Sequence, residues 1–310
     1  MKKVKVGILS PFNKRVLGSL NKKLFDFIDL DLSNNNVILK DISCLILDTR
    51  ILSKSFYAKL KNLKLICRFG VGIDNLDLNF LKRRKINLSI TKKSIVNPVA
   101  EHAIGFILLS IKSYNEFNKL IKANKYENQF EYPKIMNLEN KEVLIIGLGN
   151  IGKRISNILE IFNCRISFYD PHIKNYKNLI KINKLSQNLG KYDVISINTS
   201  LNKYTKKIIN YSNLKFFKEG TIIVNTSRGG IVDEKALIKL SAKKKIIYCS
   251  DVFEKEPLKK GFELSKYDRN SFTPHVSTSS SETRLAMSEE VIQNLKDYFI
   301  RKKKNQNFLI

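Results

Sequence analysis

Acidic residues are scarce. The chain has 28 Asp and Glu against 56 Lys and Arg, a formal net charge of +28. Such a balance first raises a polyanion partner, because basic charge attracts phosphate backbones. The excess, however, is lysine, 45 residues against 11 arginines, spread along a chain also crowded with Asn and Ile. No nucleic-acid motif accompanies it. The composition bias of an AT-rich genome accounts for the charge, and no specific nucleic-acid partner is expected.

Proline is scarce too, at 6 residues, and there is no low-complexity linker or internal repeat. With 43% hydrophobic and 27% charged residues, this is a globular composition and excludes a disordered chain. The longest apolar run, Ala103 to Leu109, is short and interrupted by Gly105, so no membrane span is expected. The start has early lysines but a four-residue apolar stretch, too short for a secretory signal. The four cysteines, Cys44, Cys67, Cys164 and Cys249, stand far apart and fit neither metal-ligand nor redox spacing. They read as reduced thiols of a cytoplasmic protein, without a metal site.

What is present is an alternation of β-rich runs and helical segments, the pattern of parallel sheets with crossover helices. At 310 residues, two domains are expected. The runs Val4–Leu9, Ser43–Leu47, Leu63–Cys67 and Ile86–Ile90 predict strands, and Leu76–Arg84 a helix. A long helix is expected from about Pro98, with Ile104, Ile107, Leu108 and Ile111 on one face. The polar stretch from about Ser113 to Asn140 reads as a helix end plus loop, or as a surface arm. A second α/β series follows. Its strands are Glu142–Gly147, Arg165–Tyr169, Val194–Asn198, Thr221–Asn225 and Ile246–Cys249. Its helices are Ile151–Phe162, packing through Ile155, Ile158, Leu159 and Phe162, and one capped by Asp233. A last helix is expected over Ser281–Phe299.

Gly147-Leu148-Gly149-Asn150-Ile151-Gly152 is a G-x-G-x-x-G between a strand and a helix. Gly147 would make the tight turn, Gly149 would admit a pyrophosphate to the backbone, and Gly152 would bring helix and strand together. The helix N-terminus would supply N–H donors for phosphate oxygens. Asp170 lies 23 residues after Gly147 at a strand end, where a carboxylate can accept ribose hydroxyls and repel a 2′-phosphate. No arginine follows it, which predicts NAD rather than NADP.

Three later segments deliver polar groups past strand ends: Thr226-Ser227-Arg228-Gly229-Gly230, Asp251-Val252-Phe253-Glu254-Lys255-Glu256-Pro257 and Thr273-Pro274-His275. Ligands of open α/β sheets bind at that edge. With Arg68-Phe69-Gly70-Val71-Gly72-Ile73-Asp74-Asn75 and Val99-Ala100-Glu101-His102, they resemble the D-isomer-specific 2-hydroxyacid dehydrogenase family, phosphoglycerate dehydrogenases included, over nearly the whole chain. The resemblance implies an α/β fold in which a Rossmann NAD-binding domain is inserted into a flavodoxin-like substrate domain, the active site lying in the cleft. On this chain that gives residues 1–96 and 284–310 to the substrate domain and 97–283 to the NAD domain. It implies that His275 is the acid/base, Glu256 its carboxylate partner, and Arg228 the grip on the substrate carboxylate. Backbone N–H groups of Gly70, Val71 and Gly72 would be a second anchor for that carboxylate. Asp251 would lie near the nicotinamide carboxamide. Thr91, Asn150, Ile151, Thr199, Thr226, Ser227, Arg228 and His275 would touch the cofactor. A homodimer built around the helix near Pro98 is implied as well. The C-terminal regulatory domain of some relatives is not expected.

The residue types suit ketone reduction on their own terms. His donates protons near neutral pH, a carboxylate beside it favours imidazolium, and Arg offers a planar fork for a carboxylate. The bland readings place His102 as a packing or capping residue beside Glu101, His172 as solvated, and Glu254 and Glu263 as rivals of Glu256. Two departures stand out. Asn198 and Ser200 replace the family's usual His and Pro, which weakens Thr199 as a cofactor contact. Lys92-Lys93-Ser94-Ile95 replaces a turn with Pro and Gly, and either lysine could favour a phosphorylated substrate. The expected activity is therefore hydride transfer between NAD(H) and a D-2-hydroxy or 2-keto acid. 3-Phosphoglycerate is the first candidate, with hydroxypyruvate, glyoxylate or a lactate-like acid as alternatives. An NAD-sensing protein without turnover is the rival of another class.

Overall fold

The structure is a computed structural model, and it describes residues 3–19, 23–31, 37–126, 135–186 and 189–310. The chain forms two compact units, Met1–Ile95 with Thr278–Ile310, and Val96–Ser277.

The discontinuous unit holds a five-stranded sheet. Its strands are β1 (Val4–Leu9), β2 (Phe25–Asp29), β3 (Ile42–Leu47), β4 (Leu65–Arg68) and β5 (Asn87–Ile90). All pair in parallel in the order β2-β1-β3-β4-β5, the flavodoxin-like arrangement. Strands buried on both faces read as continuous apolar runs, which is why β1, β3 and β4 were legible. β2, with Phe25, Phe27 and Ile28 interrupted by Asp26, was not. Helix α1 (Lys54–Lys59) is capped by Ser53, and α2 (Leu78–Arg83) by Asp77, which accepts the Phe80 N–H. That cap starts α2 two residues later than its apolar pattern predicted. Tyr57, Leu60 and Leu81 from this side meet Leu45, Leu47, Ile66 and Leu88 of the sheet.

The edge at β5 is covered by the end of the chain. Ser89 and Phe308 form an antiparallel bridge, Ile90 N–H donates to Asn307 O, and Leu309 N–H donates to Leu88 O. An open edge strand is a template for foreign strands, and this pairing closes it.

The contiguous unit begins with α3 (Val96–Ile111) and α4 (Tyr114–Lys122). α3 starts two residues before Pro98, which therefore sits in its first turn, where a missing N–H costs nothing. Residues 127–134, part of the expected arm, lie outside the described residues. A seven-stranded parallel sheet follows: β6 (Glu142–Ile146), β7 (Arg165–Tyr169), β8 (Ile180–Lys181), β9 (Val194–Ile197), β10 (Ile222–Asn225), β11 (Ile247–Ser250) and β12 (Ser271–Phe272). The order is β12-β11-β10-β9-β6-β7-β8, so chain direction across the sheet reverses between β6 and β9. Val143 and Ile145 of β6 enter one core with α3 and α5 (Asn150–Ile161), while Leu144 and Ile146 enter the core on the other face. α5 buries Ile155 and Leu159 as expected, whereas Phe162 is its C-cap and stays 38% exposed. Helices α6 (Tyr211–Leu214) and α7 (Glu234–Lys244) follow, and Asp233 caps α7 by accepting the Ala236 N–H. The last helix, α8 (Ser281–Leu295), belongs to the discontinuous unit and continues as a π-helical turn over Lys296–Ile300.

Among the described residues, no helix is long and apolar enough to cross a membrane, and no cluster of three potential metal ligands occurs. Cys44, Cys67, Cys164 and Cys249 are free. Burial pushes the Cys164 and Cys249 thiols up to about 11, so neither is a reactive thiolate.

Candidate active site

In the contiguous unit, the reversal point between β6 and β9 is where the glycine turn sits. Gly147 adopts φ +88, and a Cβ there would lie 2.6 Å from Asn198 O at the end of β9. At Gly152 a Cβ would lie 2.2 Å from Gly147 O, so helix and turn touch through backbone alone. Gly149 differs: a Cβ built there meets nothing within 4 Å. It caps α5 without any side-chain hydrogen bond, so the first N–H groups of the helix, beginning with exposed Asn150 and half-buried Ile151, have no acceptor within the helix.

Asp170 follows β7. Its Oδ2 accepts the Leu148 N–H at 2.8 Å and its Oδ1 the His172 N–H at 2.8 Å, which fixes the carboxylate beside the glycine turn. Each oxygen keeps a lone pair for a further donor. On the neighbouring strand ends, two buried oxygens have no protein partner, Asn198 Oδ1 and Thr226 Oγ1. Thr199 is half-buried beside them. Ser227 donates its Oγ to Ile197 O at 2.8 Å and its N–H to Asn225 Oδ1 at 3.1 Å, pinning the turn that carries Arg228. A helix N-terminus, room for close approach at Gly149, a fixed carboxylate and two orphaned oxygens together fit a nicotinamide dinucleotide.

Gly229 allows the next approach. A Cβ there would lie 1.8 Å from the Phe253 carbonyl carbon, so only glycine lets the Arg228 turn and the Phe253–Glu256 segment come together. Glu256 Oε1 accepts the Phe253 N–H at 2.9 Å, and its Oε2 is 2.9 Å from His275 Nδ1. Burial pushes the Glu256 carboxyl upward. Hydrogen bonds from His275 and the Phe253 N–H, with the charges of His275 and Arg228, outweigh that and hold it below the usual carboxylate range. Glu254 and Glu263 do not share this arrangement: the Glu254 carboxylate pairs with Lys207 at 3.3 Å, and Glu263 opens a 3₁₀ turn. Arg228, Glu256 and His275 are thus gathered at one sheet edge. Asp251 lies beside them, fully buried, and accepts from Thr273, Val276 and Ser277.

Residues 104–277 match the family model described as "D-isomer specific 2-hydroxyacid dehydrogenase, NAD binding domain". The chain belongs to this family. A glyoxylate reductase from Thermofilum pendens is 31% identical over 242 residues, covering 76% of this chain and 71% of that one. A D-3-phosphoglycerate dehydrogenase from Archaeoglobus fulgidus is 31% identical over 251 residues, covering 78% of this chain but 47% of that one. Among solved structures, an NADPH-dependent glyoxylate/hydroxypyruvate reductase from Sinorhizobium meliloti in complex with NADP and malonate aligns with a TM-score of 0.85 at 25% identity. That alignment covers 96% of this chain and 94% of the other. As a D-2-hydroxyacid dehydrogenase, the chain is an NAD(P)-dependent oxidoreductase of 2-hydroxy or 2-keto acids.

In the discontinuous unit of this dehydrogenase, the Gly70–Gly72 turn is built from behind. Arg68 is 1% exposed. Its Nε donates to Gly72 O at 2.8 Å and its Nη1 to Phe69 O, turning those carbonyls inward. The Gly70 N–H is already given to Thr91 Oγ1 at 2.7 Å, so Val71 and Gly72 are the N–H groups of this turn left for an anchor. Thr91 itself is fully buried. The loop that follows it is held by Glu290 of α8, whose carboxylate accepts N–H groups of Lys92 (2.8 Å), Lys93 (3.1 Å) and Ser94 (3.0 Å). The same carboxylate accepts Ser94 Oγ at 2.7 Å and Asn307 Nδ2 at 2.9 Å. Sequence reasoning missed Glu290 because no spacing rule links residues 198 apart. His102, read from sequence as a packing or capping residue, packs edge-on against Phe106, and its ring nitrogen Nε2 lies 2.9 Å from Thr273 Oγ1.

Proposed function

We propose that this protein is an NADH-dependent reductase of small, unphosphorylated 2-keto acids such as glyoxylate or hydroxypyruvate. The observation that carries the chemistry is the His275 Nδ1–Glu256 Oε2 contact of 2.9 Å. A carboxylate on Nδ1 leaves Nε2 as the ring nitrogen that faces substrate, so Nε2–H is the proton for the developing alkoxide. When bound, the nicotinamide supplies the hydride. Arg228 pairs with the substrate carboxylate, and its charge draws electron density from the adjacent carbonyl. After proton transfer, His275 is left as the Nδ1–H tautomer, still bonded to Glu256. The reverse direction begins from that form. In the discontinuous unit, the N–H groups of Val71 and Gly72 are assigned, on family grounds, as an anchor for a carboxylate.

The choice of substrate rests on the names of the relatives, which include glyoxylate reductases and hydroxypyruvate reductases. 3-Phosphoglycerate, the first candidate from sequence, is therefore ranked behind glyoxylate and hydroxypyruvate. A panel of 2-keto acids with NADH decides the order. A kcat/KM for phosphohydroxypyruvate above those for both smaller acids would reverse it, and no turnover of any would leave an NAD-sensing protein.

NAD is assigned over NADP on Asp170, whose fixed carboxylate suits ribose hydroxyls and repels a 2′-phosphate. The test is kcat/KM with NADH and NADPH in wild type and Asp170→Ala. Equal values in wild type, or an unchanged ratio in the variant, would remove the assignment. Free thiols fit a reducing cytoplasm. α4 has no buried residue and exposes Tyr114 and Ile121, a surface suited to a second copy, so a homodimer is expected by light scattering.

A further inference from the structure

Asp251 Oδ1 accepts from Thr273 Oγ1 at 2.6 Å and from the Val276 N–H at 2.8 Å, whereas among the described residues Oδ2 accepts only the Ser277 N–H at 2.9 Å. A carboxylate oxygen has room for about two donors, so Oδ2 is the oxygen with capacity left for a ligand amide. Two of these donors, Val276 and Ser277, directly follow His275, which sits in the left-handed region at φ +55. Asp251 therefore holds both a ligand-facing oxygen and the turn that carries the proton donor.

What holds Asp251 comes from α3. His102 Nε2 is 2.9 Å from Thr273 Oγ1 and 3.8 Å from Asp251 Oδ1. A hydroxyl carries one proton. Thr273 gives it to the carboxylate, which can only accept, so Thr273 Oγ1 must accept from His102, and Nε2 must carry a hydrogen. The direction of donation is thus fixed at both ends: His102 Nε2–H to Thr273 Oγ1, and Thr273 Oγ1–H to Asp251 Oδ1. The His102 ring is steadied edge-on against Phe106, with centroids 4.8 Å apart at 89°.

We propose that His102 is a positioning residue for the reductase reaction. Acting through Thr273, it orients Asp251 Oδ2 toward the nicotinamide carboxamide and sets the backbone turn that presents His275. This rests on the roles given above to Asp251 and His275. A His102 that merely packed α3 against the sheet would change stability and leave the kinetic constants alone.

The experiment uses the full chain. It compares His102→Leu, His102→Gln, Thr273→Val, Thr273→Ser and the double variant His102→Leu/Thr273→Val. NADH dissociation constants come from fluorescence titration and kcat from glyoxylate or hydroxypyruvate reduction, with melting temperatures alongside. His102→Leu is expected to weaken NADH about tenfold, the scale of one lost hydrogen bond, and to lower kcat. His102→Gln, which can still offer an N–H, is expected to recover most of both. Since His102 and Thr273 act in one chain, the double variant should be no worse than Thr273→Val alone. Wild-type constants in His102→Leu, no rescue by Gln at equal melting temperature, or additive losses in the double variant would each overturn the proposal. If His102→Leu does not fold, the same ordering is required of Thr273→Ser over Thr273→Val, and its absence is equally decisive. Asp251→Asn is the separate control: unchanged NADH binding there removes the role of Asp251, and this proposal with it.

Discussion

Two glutamates show how the same side chain is put to opposite uses in the two units. Glu256 accepts a single backbone N–H and leaves its other oxygen to an imidazole. Glu290 accepts from four residues, through three backbone N–H groups, a hydroxyl and an amide. The partner of Glu256 is an imidazole, a group that can hand a proton to a substrate, so the pair can take part in chemistry. None of the partners of Glu290 can, so that carboxylate only fixes the loop. Reactivity here follows from the partner set rather than from the acid.

The largest effect should come from removing the imidazole partner. His275→Gln is expected to lower kcat about 10²–10⁴-fold, the usual scale for general acid/base catalysis, while NADH titrates nearly as in wild type. Rapid turnover in that variant would make Glu256 no different in kind from Glu290. Glu256→Gln should act less strongly. The Glu256 carboxyl lies below its usual range, so its charge is present throughout the neutral assay window. Removing that charge while keeping a hydrogen-bonding side chain beside Nδ1 should lower kcat by less than His275→Gln does. A wild-type kcat would detach Glu256 from catalysis.

Glu290→Ala tests the other side of the contrast. It strands N–H groups in a partly buried loop, which costs about 1–3 kcal/mol and should appear as a lower melting temperature. Since the vacated N–H groups form an anion cradle, added sulfate should restore part of the loss. Undiminished stability would show that water serves the loop equally well. The smallest effect concerns Asp297, a third acid with fixed partners, Asn305, Arg301 and Gln293. Burial raises its carboxyl, but these hydrogen bonds outweigh it and leave it below the ordinary value. A depressed carboxylate stabilises the fold above its unfolded value of about 3.9 and loses that contribution as pH falls through the folded value. Melting curves of wild type and Asp297→Asn should therefore differ at pH 6 and converge in stronger acid. A constant gap would assign the difference to packing.

The legibility of the sequence divides along the same line. In the contiguous unit, each functional group sits at a strand end beside its own punctuation: Gly147, Asp170, Arg228 before Gly229, Glu256 before Pro257, His275 after Pro274. Local spacing there reports local geometry. The strands missed were short edges, β8 and β12, with too few residues to show a period. In the discontinuous unit, the Gly70–Gly72 turn was visible, but not that Thr91 consumes one of its N–H groups, nor that Glu290 closes the next loop. Those depend on residues brought together by topology. His102 was passed over for a related reason. A histidine on a helix beside a glutamate reads as a packing or capping residue, and the approach of Thr273, 171 residues away, gives it a hydrogen-bond partner.

The clamp on the Lys92–Ser94 loop also has a consequence for biosynthesis. Glu290 leaves the ribosome 198 residues after Lys92, roughly 10–40 s later at about 5–20 residues per second. Over that interval, water must serve the loop N–H groups and the β5 edge lacks its cover, while the contiguous unit gains every strand of its sheet by Phe272, before Glu290 is made. The order of emergence therefore lets the contiguous unit complete its sheet before the loop after β5 receives its clamp from α8. Nascent chains stalled short of residue 290 should show protease resistance confined to Val96–Ser277, and equal protection of the first ninety-five residues would refute that order.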